Sequence, residues 1–534
     1  MKSILHPPKP AFTAGAAALA LGAALLALPS RAQAPATPAA PVAAPRGLPS
    51  LGDAGDMTPL EERKLGDAIA RELYRDPDYL DDPILGEYID GIWRALLVGA
   101  RARGELPPEL DERYAWKVLV GRDRNVNAFA LPGGYFGMLT GLVGVVASRD
   151  ELASVLAHEI SHITQRHIAR MIGQEGRMTP LMLAAMVLGA MAASRNPQAG
   201  AALAVGGQAA LIQQQLNYSR DMEREADRIG FGVLTQSGFA PQGFASMFEK
   251  LQAASRINDN GDWPYLRSHP LTSQRIADMQ QRQQNLARGA ELPADYETLL
   301  LAGRARVLGR PGVDVLRAWA NEPDQPGFDK LPRPRRAAAL YAAALAQAQL
   351  RDLARAQALA AQLAQAVAPD ARGLHQARLL QAELALQAGQ PARALEWLPT
   401  APTPTGADPK AQRGRAALLL RAQAQTQTGQ APQASAALQT WMVDHPDDPG
   451  AWQALAQAWG AQNQPLRALR AEGEVSMARM DYAGAVDRWR AAQDYAQQHP
   501  GGSADLIDIS IVDTRLRVAR QALRQQQEDE KKRR

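Results

Sequence analysis

The twelve residues LAHEISHITQRH, Leu156 to His167, decide how this chain is interpreted. They hold three of its eight histidines, and a glutamate follows the first. On an α-helix, His158 and His162 are four residues apart and share one face, where two imidazoles can bind one zinc ion. Glu159 is turned by about 100° and can reach a water on that metal. The alternative is an ordinary helix that carries two surface histidines.

This pattern has the residue types that peptide hydrolysis needs. Zinc lowers the pKa of a bound water to around 7, and Glu159 can take the proton. The hydroxide can attack a carbonyl that the metal polarises, and Glu159 can pass the proton to the leaving amine. His167 lies nearly opposite His158 on a straight helix, so we expect it on the surface or behind a ligand. Ser148 and Glu151 predict a capping box that starts the helix.

A third ligand is needed for a catalytic zinc, and a chain without cysteine must supply it from His, Asp or Glu. Residues 217–234, NYSRDMEREADRIGFGVL, predict a helix on which Glu223 and Asp227 share a face. We expect Glu223 to bind the metal and Asp227 to lie behind it, able to hydrogen-bond a ligand histidine. Glu225 points away. The alternative is a solvated acidic face with neighbouring arginines as partners.

The N-terminus has the order of a secretory signal peptide, residues 1–32. Lys2 and Lys9 precede an apolar run from Ala14 to Leu28, and small residues follow. Cleavage is expected after Ala32 rather than Ala34, and the alternative is an uncleaved membrane anchor. Export of a chain without cysteine fits the periplasm of a Gram-negative bacterium.

Composition indicates a globular chain of two or three domains, since 534 residues include 46% hydrophobic and 21% charged ones. The net charge is only +4 and the basic residues are scattered, which argues against nucleic acid as the main partner. Segments 114–121 and 125–141 predict a strand and a hairpin, and the rest predicts helices. The fold class is therefore α+β: a mostly helical catalytic domain with a small β-sheet, followed by an all-α solenoid.

Boundaries follow from composition and periodicity. After the signal peptide we expect a disordered Ala/Pro-rich leader at 33–55, a catalytic domain at 56–288, a helical linker at 289–334, helical repeats at 335–500, and a C-terminal helix with a polar tail at 501–534. Within the catalytic domain, residues 178–212 predict a buried helix or a mobile flap. Peripheral contact with a membrane is the alternative there.

The repeats have a period near 34 residues. Leu418 is followed 34 residues later by Trp452, and a Gly-x4-Ala spacing occurs at both 389–394 and 429–434. Small residues at such positions let paired helices approach closely, as in tetratricopeptide repeats. The alternative is one long Ala-rich bundle.

A resemblance to a known family follows from these motifs. HEISH (158–162) followed by EREAD (223–227) resembles the signature of the Ste24-type zinc peptidases, which belong to the gluzincins. NAFALPGGYFGMLTGL and SHPLTSQRIADM (268–279) are similar to further blocks of that family. A signal peptide, a soluble catalytic domain and C-terminal repeats resemble its periplasmic branch. The motifs cover residues 125–279.

The resemblance implies one zinc ion per chain, three ligands and a general base: His158, His162, Glu223 and Glu159. It also implies that Asp227 is a second catalytic acid, although orienting a histidine is the simpler physical role. It further implies that His269 can occupy the fourth metal position and hold the enzyme off. The alternative is a loop histidine beside a helix-starting proline.

Substrate binding is expected on an edge strand formed by Asn127, Ala128, Phe129 and Ala130, which could pair with an extended peptide. The asparagine could instead begin a turn. The predicted function is cleavage of unfolded or misassembled envelope proteins, with the repeats docking the substrate or a partner. The resemblance implies that this partner is the outer-membrane protein assembly machinery. The alternative is a chaperone or scaffold with a latent metal site, against which the intact Glu159 argues. A prenyl-protein peptidase is disfavoured because the chain lacks the several membrane spans of those enzymes.

Overall fold

The computed structural model describes residues 57–175, 219–256, 263–284, 294–368, 370–398, 414–499 and 503–533, which fall in one compact unit. The signal peptide, the Ala/Pro-rich leader and residues 178–212 lie outside these ranges. The expectations for those three segments therefore stay predictions. None of the described helices is long and apolar enough to cross a bilayer.

The N-terminal part combines helices with three short strands. Its elements are α1 (Pro59–Arg75), α2 (Pro83–Ala102), α3 (Pro108–Arg113), β1 (Lys117–Gly121), β2 (Ala128–Leu131), β3 (Tyr135–Leu139), α4 (Thr140–Val145), α5 (Arg149–Thr164), α6 (His167–Glu175), α7 (Arg220–Gln236), α8 (Gln242–Arg256), α9 (Tyr265–Ser268) and α10 (Ser273–Gln284). The strand and the hairpin expected from the sequence are both present.

The sheet has the order β1-β3-β2, with β1 parallel and β2 antiparallel to β3. A 3-10 turn at Pro132–Gly134 joins β2 to β3. Gly133 has a φ of 70°, and a Cβ there would come within 2.6 Å of the Arg63 Cα. Only glycine fits, because both the left-handed backbone and the close approach of α1 exclude a side chain. The turn thereby fixes the sheet against α1.

Helix α5 is the centre of the N-terminal part. It packs against α2, α7, α8 and β2, and nearly every residue from Glu151 to Thr164 is buried. Ser148 caps its start by accepting the Glu151 N–H at 3.2 Å. The predicted capping box is incomplete, because the Glu151 carboxylate accepts instead from the Ala147 N–H and from Lys250. A helix buried on all sides holds its side chains in fixed positions.

Helices alone make up the rest of the described chain. They are α11 (Tyr296–Leu308), α12 (Val313–Ala320), α13 (Arg333–Gln349), α14 (Leu353–Val367), α15 (Ala371–Gln387), α16 (Pro391–Trp397), α17 (Arg415–Gln427), α18 (Ala431–Asp444), α19 (Pro449–Ala461), α20 (Pro465–Ala478), α21 (Tyr482–Gln498) and α22 (Ser503–Arg533). From α13 onward each helix packs against the next one in the chain. This arrangement is consistent with a repeat solenoid, so the predicted fold class is confirmed; the tetratricopeptide assignment stays a prediction.

One continuous apolar core crosses the expected domain boundary. It includes Trp93 of α2, Leu156 of α5, Leu379 of α15 and Leu420 of α17. Helix α11, placed in the predicted linker, packs against both α4 and α13. The domain boundaries themselves stay predictions, but the catalytic part and the helical array bury apolar surface against each other.

Candidate metal centre and active site

Four side chains from three parts of the fold meet at one point. His158 and His162 come from α5, Glu223 from the first turn of α7, and His269 from the residue after α9. All four are buried, and one ligand atom from each lies within 4.8 Å of the others. The i,i+4 spacing on α5 and the packing of α7 on α5 are what bring the first three together.

The distances between these atoms fit a metal ion. The two histidine Nε2 atoms are 3.0 Å apart. Glu223 oxygens lie 3.5 Å from His158 Nε2 and 3.4 Å from His162 Nε2. Ligand atoms around a tetrahedral zinc with bonds of 2.0–2.1 Å are about 3.3 Å apart. Two ring nitrogens and a carboxylate that converge in this way present lone pairs to one shared position, which suits a zinc ion.

Glu159 lies beside this cluster without joining it. Its Oε2 accepts the Ala130 N–H of β2 at 3.0 Å. Its Oε1 lies 3.4 Å from His269 Nε2. One oxygen is thus held by the sheet while the other faces the metal position, which is the arrangement that a general base requires.

Asp227 lies behind His158, one helical turn beyond Glu223. Its Oδ1 is 3.0 Å from His158 Nδ1. Arg275 of α10 donates to both oxygens of Asp227, at 2.6 and 2.8 Å, and lies 2.7 Å from Glu223 Oε2. Burial raises the pKa of the Asp227 carboxyl, but the hydrogen bonds from Arg275 outweigh it and hold that pKa below its usual range. This position fits the orienting role, and Arg275 was not anticipated from the sequence.

The charges around the ligands favour a cation. Burial lowers the pKa of His158, but hydrogen bonds to Asp227 and Glu223 outweigh burial and raise it to about 10. Burial raises the pKa of Glu223, but the neighbouring histidines, His269 first, bring it well below its usual range. Carboxylates therefore balance positive charge at the centre of the cluster.

His167 is buried behind His162 rather than on the surface. Its Nδ1 lies 2.8 Å from His162 Nδ1, and its Nε2 lies 3.1 Å from the Glu225 carboxylate. Arg170 holds the same carboxylate at 2.9 Å. Glu225 does point away from the metal ligands, as predicted, but its carboxylate contacts His167.

The position of His167 depends on a break in the helix. Helix α5 ends at Thr164, Arg166 adopts a φ of 53°, and α6 begins at His167. The side chain of Arg166 pairs with Glu62 at 2.6 Å, which holds the turn in place. His167 thus takes the second of its two expected positions, behind a ligand, and the break in the helix is what brings it there. No glycine or proline occurs at this turn to indicate it.

The expected substrate strand is β2, an edge of the sheet. Ala128 and Ala130 have their backbone N–H and C=O on the side away from β3, because Asn127 O accepts from Leu139 N. The Ala130 N–H is used by Glu159, and the Tyr265 N–H donates to Val126 O at 3.3 Å. The segment before His269 thus covers the start of this edge.

The fold and this site define a zinc metallopeptidase whose two histidines come from one helix and whose glutamate ligand comes from another. Residues 104–283 match Peptidase family M48. The chain belongs to this family, since relatives at 30% identity are similar to it over about four fifths of its length.

Two of these relatives are named beta-barrel assembly-enhancing protease. The Yersinia pestis protein is 30% identical over 434 residues, 80% of this chain and 83% of the relative. The Escherichia coli (strain K12) protein is 30% identical over 448 residues, 82% of this chain and 85% of the relative. A Vibrio cholerae protein provisionally given the same name is 35% identical over 286 residues, 53% of this chain and 56% of the relative. That match spans just over half the length of the Vibrio protein.

Proposed function

We propose that this protein is a periplasmic zinc endopeptidase that cleaves unfolded or misassembled outer-membrane proteins, and that its tetratricopeptide-like helices dock the substrate or the assembly machinery. The observation that carries the proposal is the buried cluster of His158, His162 and Glu223 beside Glu159. Support for the setting comes from the signal-peptide pattern and from relatives whose name refers to β-barrel assembly. Zinc would be the resident metal, one per chain.

Each residue of this site has a separate role in hydrolysis. A zinc ion would be held by His158, His162 and Glu223, where it would supply the Lewis acidity that polarises a peptide carbonyl and lets water lose a proton near neutral pH. Glu159 Oε1 takes that proton, while the Ala130 N–H keeps Oε2 in place. The same oxygen then returns the proton to the leaving amine. Asp227 fixes the tautomer and orientation of His158.

Peptide substrate would bind along β2 as an added strand. The outward N–H and C=O of Ala128 and the C=O of Ala130 are the groups that such a strand would pair with. Main-chain pairing does not depend on the substrate's side chains, which suits a protease for misassembled proteins. Asn127 and Phe129 would hold β2 itself in place, because their backbone groups pair with β3.

His269 keeps the site closed in this conformation. Its Nδ1 lies 3.0 Å from Glu223 Oε1 and its Nε2 faces Glu159 Oε1. The ring therefore lies between the ligands and the base, where a substrate carbonyl would have to enter. A peptide can enter after the segment from Tyr265 to His269 moves, and that movement also uncovers β2.

The test is cleavage of an unfolded outer-membrane protein by four zinc-loaded proteins: the unaltered chain, His269→Ala, Glu159→Gln and the double variant. We expect His269→Ala to cleave faster than the unaltered chain, and both proteins with Glu159→Gln to be inactive. Zinc content measured by atomic absorption checks that each protein is loaded.

Absence of cleavage by zinc-loaded His269→Ala would favour the alternative, a chaperone or scaffold with a latent metal site. Equal activity of His269→Ala and the unaltered chain would contradict the closing role of His269 but leave the peptidase intact.

A further inference from the structure

A cleft of about 830 Å³ lies between β1 and the turn that joins α18 to α19. One wall belongs to the N-terminal part of the fold and the other to the helical array. The walls are tied together by Lys117 and Asp447 at 2.6 Å and by Arg415, which holds both Asp81 and Asp448. None of the metal ligands lines this cleft. Its volume is in the range of sites that bind small molecules or peptide side chains.

The first wall is the outer edge of the sheet. Val120 O accepts from Leu80 N, and Arg122 N donates to Asp78 O, so even-numbered residues of β1 turn their backbone groups away from β3. Val118 is the next such residue, and it lines the cleft. Among the described residues, no backbone group pairs with its outward N–H and C=O. An extended peptide could pair with β1 here.

The second wall carries three neighbouring residues that offer groups to a ligand: Val443, Asp444 and His445. Val443 is 79% exposed, and His445 is only 9% exposed yet has no hydrogen-bond partner for its Nε2. Because His445 Nδ1 lies 3.3 Å from the Trp441 carbonyl oxygen, its Nε2 is left as a hydrogen-bond acceptor. Asp444 is exposed at the C-terminal end of α18, where a negative charge is disfavoured by the helix dipole.

The cleft is acidic although the chain as a whole carries +4. Eight acidic and four basic side chains line it. Most of the acids are held in ion pairs, but within the described ranges no lysine or arginine pairs with Asp444 or Glu112, both of which are exposed. Two free carboxylates, an acceptor nitrogen and an open strand edge all favour a ligand that carries N–H donors and positive charge.

We propose that this cleft binds an extended, basic segment of an unfolded polypeptide, which adds to β1 as a fourth strand. Basic side chains of that segment would pair with Asp444 on the array wall and with Glu112 on the N-terminal wall, and apolar ones would contact Val443. The proposal rests on the proposed function, because it describes where a substrate is held outside the metal centre. The preference for basic segments would then arise at this cleft and not at β2.

Binding is measured by fluorescence anisotropy with zinc-loaded, full-length Glu159→Gln protein, which cannot hydrolyse the probe. The probes are two labelled peptides, one alternating lysine with valine and the other alternating glutamate with valine. We expect only the lysine peptide to bind and its affinity to fall with added salt. Combined Asp444→Lys and Glu112→Lys substitutions should weaken it roughly tenfold, since attraction becomes repulsion at two exposed positions.

The matched control is Asp314→Lys with Asp329→Lys, two exposed acids that do not line the cleft. This pair changes the net charge by the same amount and should leave affinity unchanged. Asp444→Lys should not weaken peptide binding by destabilising the fold, because lysine is favoured at a helix C-terminus. Val118→Pro removes the outward N–H and should abolish binding while leaving the bonds to β3 in place.

Equal binding of both peptides, or full affinity after Asp444→Lys with Glu112→Lys, would overturn the proposal. Self-association of the protein that Val443→Asp abolishes would also overturn the proposal, because the cleft would then bind a second copy of this chain. The two proposals can be rejected independently. If the lysine peptide binds but His269→Ala does not cleave, the cleft proposal stands and the peptidase proposal is rejected.

Discussion

The imidazole of His162 is used at both of its nitrogens. Nε2 belongs to the ligand cluster, and Nδ1 lies 2.8 Å from His167 Nδ1. If Nε2 presents its lone pair to a metal, the proton of His162 must be on Nδ1 and His167 must accept it. The proton of His167 is then on Nε2, where Glu225 accepts it at 3.1 Å. Glu225 thus fixes the tautomers of two histidines in series.

Replacing Glu225 by glutamine should therefore weaken zinc binding about ten- to a hundredfold, because the amide can donate to His167 and so permits the opposite tautomers. Zinc affinity measured by competition with a chromophoric chelator tests this. Asp221→Asn is the control, since Asp221 is on the same helix but its ion pair among the described residues is with the exposed Arg224. Unchanged affinity of the Glu225 variant would mean that the two histidines do not act in series.

Single residues also show which part of the site can be predicted from sequence. The i,i+4 relation holds within any helix, so His158 with His162 and Glu223 with Asp227 could be paired correctly without a structure. Arg275 could not be placed, because its contact with Asp227 joins residues 48 apart through the packing of α10 on α7. For His167 two positions stayed open, the surface or behind a ligand, because the turn at Arg166 has no residue type that marks it.

At the scale of elements, the approach of α7 to α5 sets the distance between Glu223 and the histidines. Gly230 lies where the two helices are closest: a Cβ there would come within 3.0 Å of both Ala157 O and His158 N. These are backbone atoms of a buried helix and cannot move aside easily. The glycine therefore permits the contact on which the ligand geometry depends.

Gly230→Ala should lower the free energy of unfolding by about 1–3 kcal/mol and also weaken zinc binding, because α7 must move away from α5. Urea unfolding and chelator competition measure the two effects. Gly91→Ala is the matched control. Gly91 is in α2, and outside its own stretch of helix no atom of the described residues lies within 4 Å of the position that a Cβ would occupy, so alanine should stabilise by up to ~1 kcal/mol. If both alanines stabilise, the close approach at Gly230 is not limiting.

Elements of the helical array were predictable where glycine marks their turns. Five helices of the array, α13, α15, α17, α19 and α20, are each followed by a residue with left-handed backbone conformation, two positions after the helix ends. These residues are Arg351, Gly389, Gly429, Asn463 and Met480. From the sequence, the Gly-x4-Ala spacing in this array was identified at the two glycines. The same spacing leads from the other three to Ala356, Ala468 and Ala485, but arginine, asparagine and methionine do not signal a turn of this kind as strongly.

At the scale of the whole molecule, ion pairs between distant segments join the N-terminal part to the helical array. Arg415 of α17 contacts Asp448 at 2.8 Å and Asp81, just before α2, at 3.2 Å. The second contact joins residues 334 apart in sequence. Neither the periodicity of helices nor any local motif carries information about such a pair, so the sequence predicted the two regions but not how they join.

The pair of Asp448 with Arg415 should give stability a specific dependence on pH. Burial raises the pKa of Asp448, but hydrogen bonds from Arg415 outweigh it and hold that pKa below the ordinary 3.8. Because the folded pKa is lowered, the pair contributes fully above the unfolded value and its contribution is lost as pH falls below it. Asp448→Asn should lower the free energy of unfolding by up to about 3–5 kcal/mol at pH 7, since Arg415 is left buried with only the more distant Asp81 to balance its charge.

Urea unfolding of both proteins from pH 7 to pH 2.5 measures this difference. We expect it to be constant down to about pH 5 and to shrink below about pH 3.8, as the unaltered chain loses the same carboxylate by protonation. Loss of metal at low pH affects both proteins equally and therefore cancels. Asp314→Asn, at an exposed acid, should show no such difference at any pH. A difference that stays constant to pH 2.5 would mean that the contact between the two regions does not depend on the charge of Asp448.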